Sequence, residues 1–264
     1  MFMDHFGLND NPFSENPPLS QILVDQRFSE ALARLDYFSQ DGSLALLTAA
    51  TGLGKSSLIR VFLDRLNPTR FLPVYVHLTH MRPSSFLKLM VSSLGEQPPI
   101  RGKEKYFLQI LDHARQSDKT ILYLLDEAHL LCCDALTDLR LLVSSALDDN
   151  AAIKILLTGQ DLLLQHLKRS NLLDLLHRIS VRCHLRPLTQ DETVLYIDFK
   201  LKNAGADNAI FDQDAKPLIH DYSGGIPRLI NRIASACLIL AASQNFQRIN
   251  EDLVHQSIAE FKLP

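Results

Sequence analysis

The apolar positions of this chain change period once along its length. From residue 28 to about 188, apolar runs of strand length alternate with stretches in which apolar residues recur every three or four positions. Beyond 188 only the helical period remains. Phe28, Leu32, Leu35 and Phe38 predict a helix over 27–39. Strands are predicted at 43–48 (SLALLT), 72–78 (LPVYVHL), 120–126 (TILYLLD), 153–158 and 181–186. Helices are predicted at 84–94, 104–116 and 135–147, with short helical pieces over 161–176. The run at 120–126 is apolar almost throughout, as suits a central parallel strand covered on both faces. Such alternation predicts a parallel sheet with crossover helices.

The tail reads as helical. Thr189-Gln190-Asp191-Glu192 has the pattern of a capping box opening a helix to Asn203, and Gly205 suits its end. A helix over 213–222 carries Pro217 as a flaw. Gly224 and Gly225 break the chain, and Pro227 opens a helix to about Ala242. Asn250 caps a last helix over 251–261. The segment before residue 28 reads as coil. Three parts are expected: a linker with the first helix (1–40), an α/β lobe (41–188) and a helical lobe (189–264).

At 264 residues and 46% hydrophobic composition, a substantial core needs no disulfides or structural metal. Cys132 and Cys133 are neighbours, Cys183 and Cys237 stand alone, and no CxxC or Cys/His cluster occurs. A zinc site is therefore not expected, a reducing compartment fits, and all four cysteines read as small buried hydrophobes. The opening MFMDHFGLNDNPF lacks the basic end and apolar run of a secretory leader. The longest apolar stretches fall far short of the roughly 18 residues of a membrane span. A soluble cytoplasmic protein without membrane contact is expected. The net charge of −3 is no nucleic-acid footprint by itself. The charges are uneven, however. Residues 1–41 hold two Arg, no Lys and seven acids, which leaves the remainder slightly basic.

Two motifs carry chemistry. Residues 49–56 read Ala-Ala-Thr-Gly-Leu-Gly-Lys-Ser between a predicted strand and a predicted helix, the context a phosphate-binding loop requires. Gly52 and Gly54 leave room for backbone N–H groups to wrap an anion, and the following helix points its positive end at it. With Ala49, Ala50, Thr51 and Leu53 they form the cradle. Lys55 would reach the β- and γ-phosphates, and Ser56 would bind Mg²⁺, with Ser57 as its backup. Ala49 stands where the motif usually begins with Gly, a cost of about 1 kcal/mol if that position needs positive φ. Alone, the loop would also read as a glycine turn. The second motif is Asp126-Glu127, at the carboxyl end of the most apolar strand, where ligands of open α/β sheets collect. Asp126 would hold the metal through its water shell and Glu127 would orient and polarise the attacking water. ATP and Mg²⁺ are thus the expected cofactors, and ATP hydrolysis the expected reaction. The string Asp-Glu-Ala-His is also that of DEAH helicases, but those need two sheet-containing motor domains and this chain has room for one. His129 reads instead as a surface or packing residue at the start of a loop.

With HFGLNDNPF, the phosphate loop, VYVHLTH, LLDEAHLL, LTDLRLLVSSALD, LLTGQDLL, HRISVRCHLRPLTQDETVLYI and SGGIPRLINRI in this order, nearly the whole chain resembles AAA+ ATPases of the ExeA type. It is most similar to the transposon-encoded ATPases that assist DDE transposases, the TniB and MuB group. The resemblance implies a five-stranded parallel P-loop (AAA+) sheet flanked by helices, with a C-terminal all-helical lid. It implies a sensor at Gln160, with Thr158 as runner-up, and an arginine finger at Arg178 or Arg182 that enters a neighbour's site. It assigns a lid arginine at Arg228. A finger in trans implies a ring or helical homo-oligomer with ATP at its interfaces. Phe6, Pro12 and Phe13 would lie over the adenine, lie over the adjacent subunit, or pack lid to core.

Three uses of the nucleotide compete. A regulator of DNA transposition would coat duplex DNA and recruit or stimulate a transposase. Thr79, Arg82, Lys103 and Lys105, with Arg101 between them, would contact DNA phosphates in a salt-sensitive way, or would simply be exposed loop charges. A secretion or pilus-assembly ATPase of the ExeA type would add a membrane span and a peptidoglycan-binding region, and a chain ending at Pro264 with neither is expected to be the first kind. A nucleotide-gated scaffold with little hydrolysis draws on Ala49, against the presence of Lys55, Asp126 and Glu127.

Overall fold

The computed structural model describes residues 2–100, 102–148, 151–206 and 209–261. In chain order the helices and strands are α1 (Phe2–Phe6), α2 (Gln26–Gln40), β1 (Leu44–Ala49), α3 (Lys55–Arg65), β2 (Phe71–His77), α4 (Pro83–Ser93), α5 (Lys103–Gln116), β3 (Thr120–Asp126), α6 (Cys133–Asp148), β4 (Ile153–Gly159), α7 (Leu162–Leu167), α8 (Leu173–Arg178), β5 (Val181–Leu185), α9 (Gln190–Asn203), α10 (Ala215–Ser223), α11 (Pro227–Ser243) and α12 (Glu251–Phe261). Short 3₁₀ turns sit at Leu19–Gln21, Ala128–Leu130 and Ser170–Leu172.

The chain divides into two compact units. One comprises residues 27–51 and 58–185 and holds a five-stranded sheet in the order β2-β3-β4-β1-β5. All its pairings are parallel. Burial follows position. β1 is buried at every residue and β3 at all but Thr120, whereas β2 and β5, at the two edges, alternate buried and exposed. Pro73 lies in edge strand β2, which pairs only with β3, so its missing N–H is tolerated. The core of this unit runs through Leu46, Val76, Phe86, Met90, Ile110, Tyr123, Leu139, Ile155 and Leu175.

The other unit comprises residues 1–26, 52–57 and 186–264. Its core joins Ile197, Ile219, Ile230, Leu238 and Val254 from the tail helices with Phe211 from the connection between α9 and α10. Thr189 makes both capping-box bonds with Glu192 at the start of α9. Asn250 Oδ1 accepts from the Leu253 amide and caps α12. Pro217 falls in the first turn of α10, where an N–H has no intrahelical acceptor anyway, so it is no flaw.

Two expectations are corrected here. The segment before residue 28 is not all coil. It contains α1, and Leu8, Phe13, Phe2, Met3 and Phe6 pack into the helical core of their own unit. Cys132 is exposed and Cys133 half-buried, so only Cys183 and Cys237 are the buried hydrophobes predicted. Among the described residues no helix is long and apolar enough to cross a membrane.

Candidate nucleotide site

The sheet brings the end of β1 and Asp126 to its carboxyl side. β4 lies between β1 and β3, with Leu157 paired to Leu46 on one side and to Leu125 on the other. All strands are parallel, so Asp126 and the end of β1 emerge on the same side, one strand apart, where such sheets take ligands. Beyond β1 the chain turns through Thr51–Gly54 and enters α3 at Lys55.

Ala49 is the last residue of β1, buried and paired with Leu185. Its backbone is extended, so the cost weighed for a positive φ does not arise there. Positive φ falls instead on Gly52 (85°) and Gly54 (100°). Within the helical unit, the Gly52 carbonyl accepts from the Arg228 amide at 3.3 Å. A Cβ on Gly52 would meet Arg228 Cβ and Ile226 Cγ2, each at 3.0 Å. Part of the reason for glycine is thus close approach to the chain that opens α11, besides room for phosphate. Lys55 is 9% exposed and Ser56 exposed, at the positive end of a helix. Gly225, at φ 71°, lies against Leu188, whose carbonyl oxygen would sit 2.0 Å from an added Cβ.

Asp126 is 7% exposed and surrounded by donors. Thr158 Oγ1 donates to Oδ1 at 2.7 Å, the Glu127 amide donates to Oδ1 at 2.9 Å, and the Tyr75 hydroxyl donates to Oδ2. His77 Nδ1 stands 4.0 Å from Oδ2. Such fixed donors give the carboxylate one orientation, as a metal ligand needs. Glu127 has φ 58° and ψ 34°, the left-handed region in which a side chain is strained. His129 lies in the 3₁₀ turn that follows. It is packed rather than on the surface, with its Nδ1 3.2 Å from Glu127 Oε2 but off the hydrogen-bond direction. Gly159 backs this ring, and a Cβ there would come within 3.4 Å of Nδ1. A loop with two positive-φ glycines before a helix, a serine hydroxyl and a preset aspartate fit a magnesium nucleotide.

The other predicted residues separate. Thr158, not Gln160, touches Asp126; Gln160 follows the end of β4 and is half-buried. Arg178 ends α8, exposed, with no hydrogen bond or ion pair among the described residues. Arg182 is tied down, its Nη2 donating to the Leu176 carbonyl at 2.9 Å. Arg228 is exposed in the first turn of α11. Thr79 and Arg82 are exposed after β2, and Lys105 is exposed on α5. Lys103 is bound to buried Asp138 at 2.7 Å, which leaves it less suited to a phosphate. Arg101 lies outside the described residues. Tyr75 was not singled out from the sequence. The only sign of Tyr75 was its place on the polar face of a strand next to the acidic one.

Comparison with known proteins agrees with this frame. Residues 39–167 match the family model described as AAA domain. The chain is 34% identical over 268 residues to general secretion pathway protein A of Aeromonas hydrophila, across 98% of this chain and 47% of that protein; it thus spans about half the length of that relative. Among solved structures, Cdc6p of Pyrobaculum aerophilum superposes with a TM-score of 0.76 at 21% identity, over 96% of this chain and 71% of that one. The Aeropyrum pernix ORC1 protein in complex with DNA superposes with a TM-score of 0.68 at 17% identity, over 95% and 67%. The sheet order, the loop between β1 and α3, the helical tail and the AAA-domain match together make this a chain of the P-loop AAA+ fold.

Proposed function

We propose that this chain binds Mg-ATP and hydrolyses it. One observation carries the reading: a buried aspartate, held by fixed donors, ends β3 on the carboxyl side of the sheet, the side on which β1 ends before a glycine loop and a helix start. The loop amides from Ala50 to Ser57 and the Lys55 ammonium would grip the phosphates. Ser56, backed by Ser57, would hold Mg²⁺ with Asp126, and the ion would offset phosphate charge. Glu127 would orient and polarise water, and little covalent chemistry is left for the protein. Gln160 suits the γ-phosphate sensor now that Thr158 is engaged with Asp126. Arg178 suits the finger better than Arg182, whose guanidinium is already bound. Arg228 would reach phosphate from the helical lobe. A finger in trans makes the working form a homo-oligomer.

The test is phosphate release by the purified chain. Lys55→Ala is expected to lose nucleotide binding. Glu127→Gln is expected to keep Mg-ATP and lose at least about 100-fold in turnover. Full turnover in Glu127→Gln would overturn the assignment. Turnover per subunit that does not rise with protein concentration would remove the finger.

For the work coupled to hydrolysis, the 34% identity across nearly the whole chain supports a role in assembling secretion machinery. A second reading is ATP-dependent binding of duplex DNA in transposition, with a transposase as partner. It draws on the sequence resemblance, on the exposed Thr79, Arg82 and Lys105, and on relatives of the same fold described in complex with DNA. Duplex DNA added to the same assay separates the two. Salt-sensitive stimulation lost in Arg82→Ala supports the DNA reading, and indifference to DNA supports secretion.

A further inference from the structure

Asp126 is held from both neighbouring strands of the sheet. From β4, Thr158 Oγ1 reaches Oδ1; from β2, the Tyr75 hydroxyl reaches Oδ2. The register explains the two side-chain lengths. Leu125 pairs with Leu157, so Thr158 is level with Asp126 and a short hydroxyl suffices. Tyr75 pairs with Leu124, two positions back on the strand, and only a long side chain spans that diagonal. The two partners also differ in need. Tyr75 is 50% exposed and water could satisfy its hydroxyl, whereas Asp126 is 7% exposed. The bond therefore serves the aspartate.

We infer that Tyr75 is a positioning residue for the metal. With Thr158 it forms a two-sided hydroxyl clamp that stops the Asp126 carboxylate from rotating, so that Mg²⁺ meets a preset ligand. The inference rests on the Mg-ATP reading above. Second-sphere donors to a metal-binding carboxylate are typically worth about 10- to 100-fold in metal affinity.

The experiment compares the full chain with Tyr75→Phe, which removes one hydroxyl from a half-exposed ring. The Mg²⁺ concentration for half-maximal phosphate release is expected to rise about tenfold. The gain in affinity for a fluorescent ATP analogue on adding Mg²⁺ should shrink by the same factor. Binding of that analogue in EDTA and the thermal melting curve should stay as in the wild type, which a merely structural role for Tyr75 would not produce. Thr158→Val should move the same readouts, and Thr158→Ser should restore them. Unchanged Mg²⁺ dependence in Tyr75→Phe overturns the clamp, and so does a lowered Mg²⁺ requirement, because the hydroxyl would then compete with the ion. If the wild type shows no Mg²⁺-dependent nucleotide binding, the ATP reading itself fails. If it does and Tyr75→Phe matches it, the clamp alone fails.

Discussion

Glu127 occupies a backbone region that only it and Asn245 share among the described non-glycine residues. A carboxylate in the left-handed region costs on the order of 1 kcal/mol. Its neighbours Asp126 and Ala128 are buried, which fixes the turn. Strain at a residue suited to activating water reads as stability given up for placement. Asparagine tolerates this conformation better. Glu127→Asn is therefore expected to abolish phosphate release while raising unfolding stability by up to about 1 kcal/mol, as chemical denaturation would measure. Lower stability in that variant would mean that the contact with His129 outweighs the strain. Ala49 is the converse case. Its departure from the usual motif looked expensive in the sequence and carries no positive-φ cost in the structure, because the residue completes a strand instead of starting a turn.

At the level of elements, apolar patterning located all five strands to within a residue or two, because each strand's burial is set by its place in the sheet. β1, β3 and β4 have sheet on both sides, and β2 and β5 show the alternation of edges. Capping chemistry was equally legible. The Thr189–Glu192 box is local, so its residues specify it without help from the rest of the fold. Thr189→Ala should lower the stability of the helical unit by about 1 kcal/mol, read from the denaturant midpoint at constant slope. Helix α1 escaped notice because five residues carry too little period to register; its apolar side chains make sense only against the helical core.

For the whole molecule, the described residues form two hydrophobic cores, one in each unit. The helical unit holds an unusual charge. Lys200 is 3% exposed, its Nζ donates to the Gln21 carbonyl at 3.1 Å, and burial lowers its pKa from 10.5 to about 8. The folded state binds this proton less tightly than the unfolded chain does. The burial penalty is therefore full below pH 8 and is relieved as pH rises from about 8 to 10.5. Stability of this unit should rise across that window, by up to about 3 kcal/mol from this group. Urea unfolding monitored in the helical unit should show the rise, and Lys200→Met should remove it. A flat profile in the wild type would mean that the ammonium is well solvated through its contact with the N-terminal segment.

The glycine loop between β1 and α3, the Asp126-Glu127 pair at the end of β3, the parallel sheet and the helical tail were all readable in the chain alone. Each depends on residues close in sequence or on a period that burial imposes strand by strand. Which hydroxyl meets Asp126, why Gly52 must lack a side chain, and that Lys103 is bound to Asp138 were decided only by the tertiary structure. Those contacts join residues 32 or more positions apart in sequence, and no local pattern records which partner the folded chain brings near.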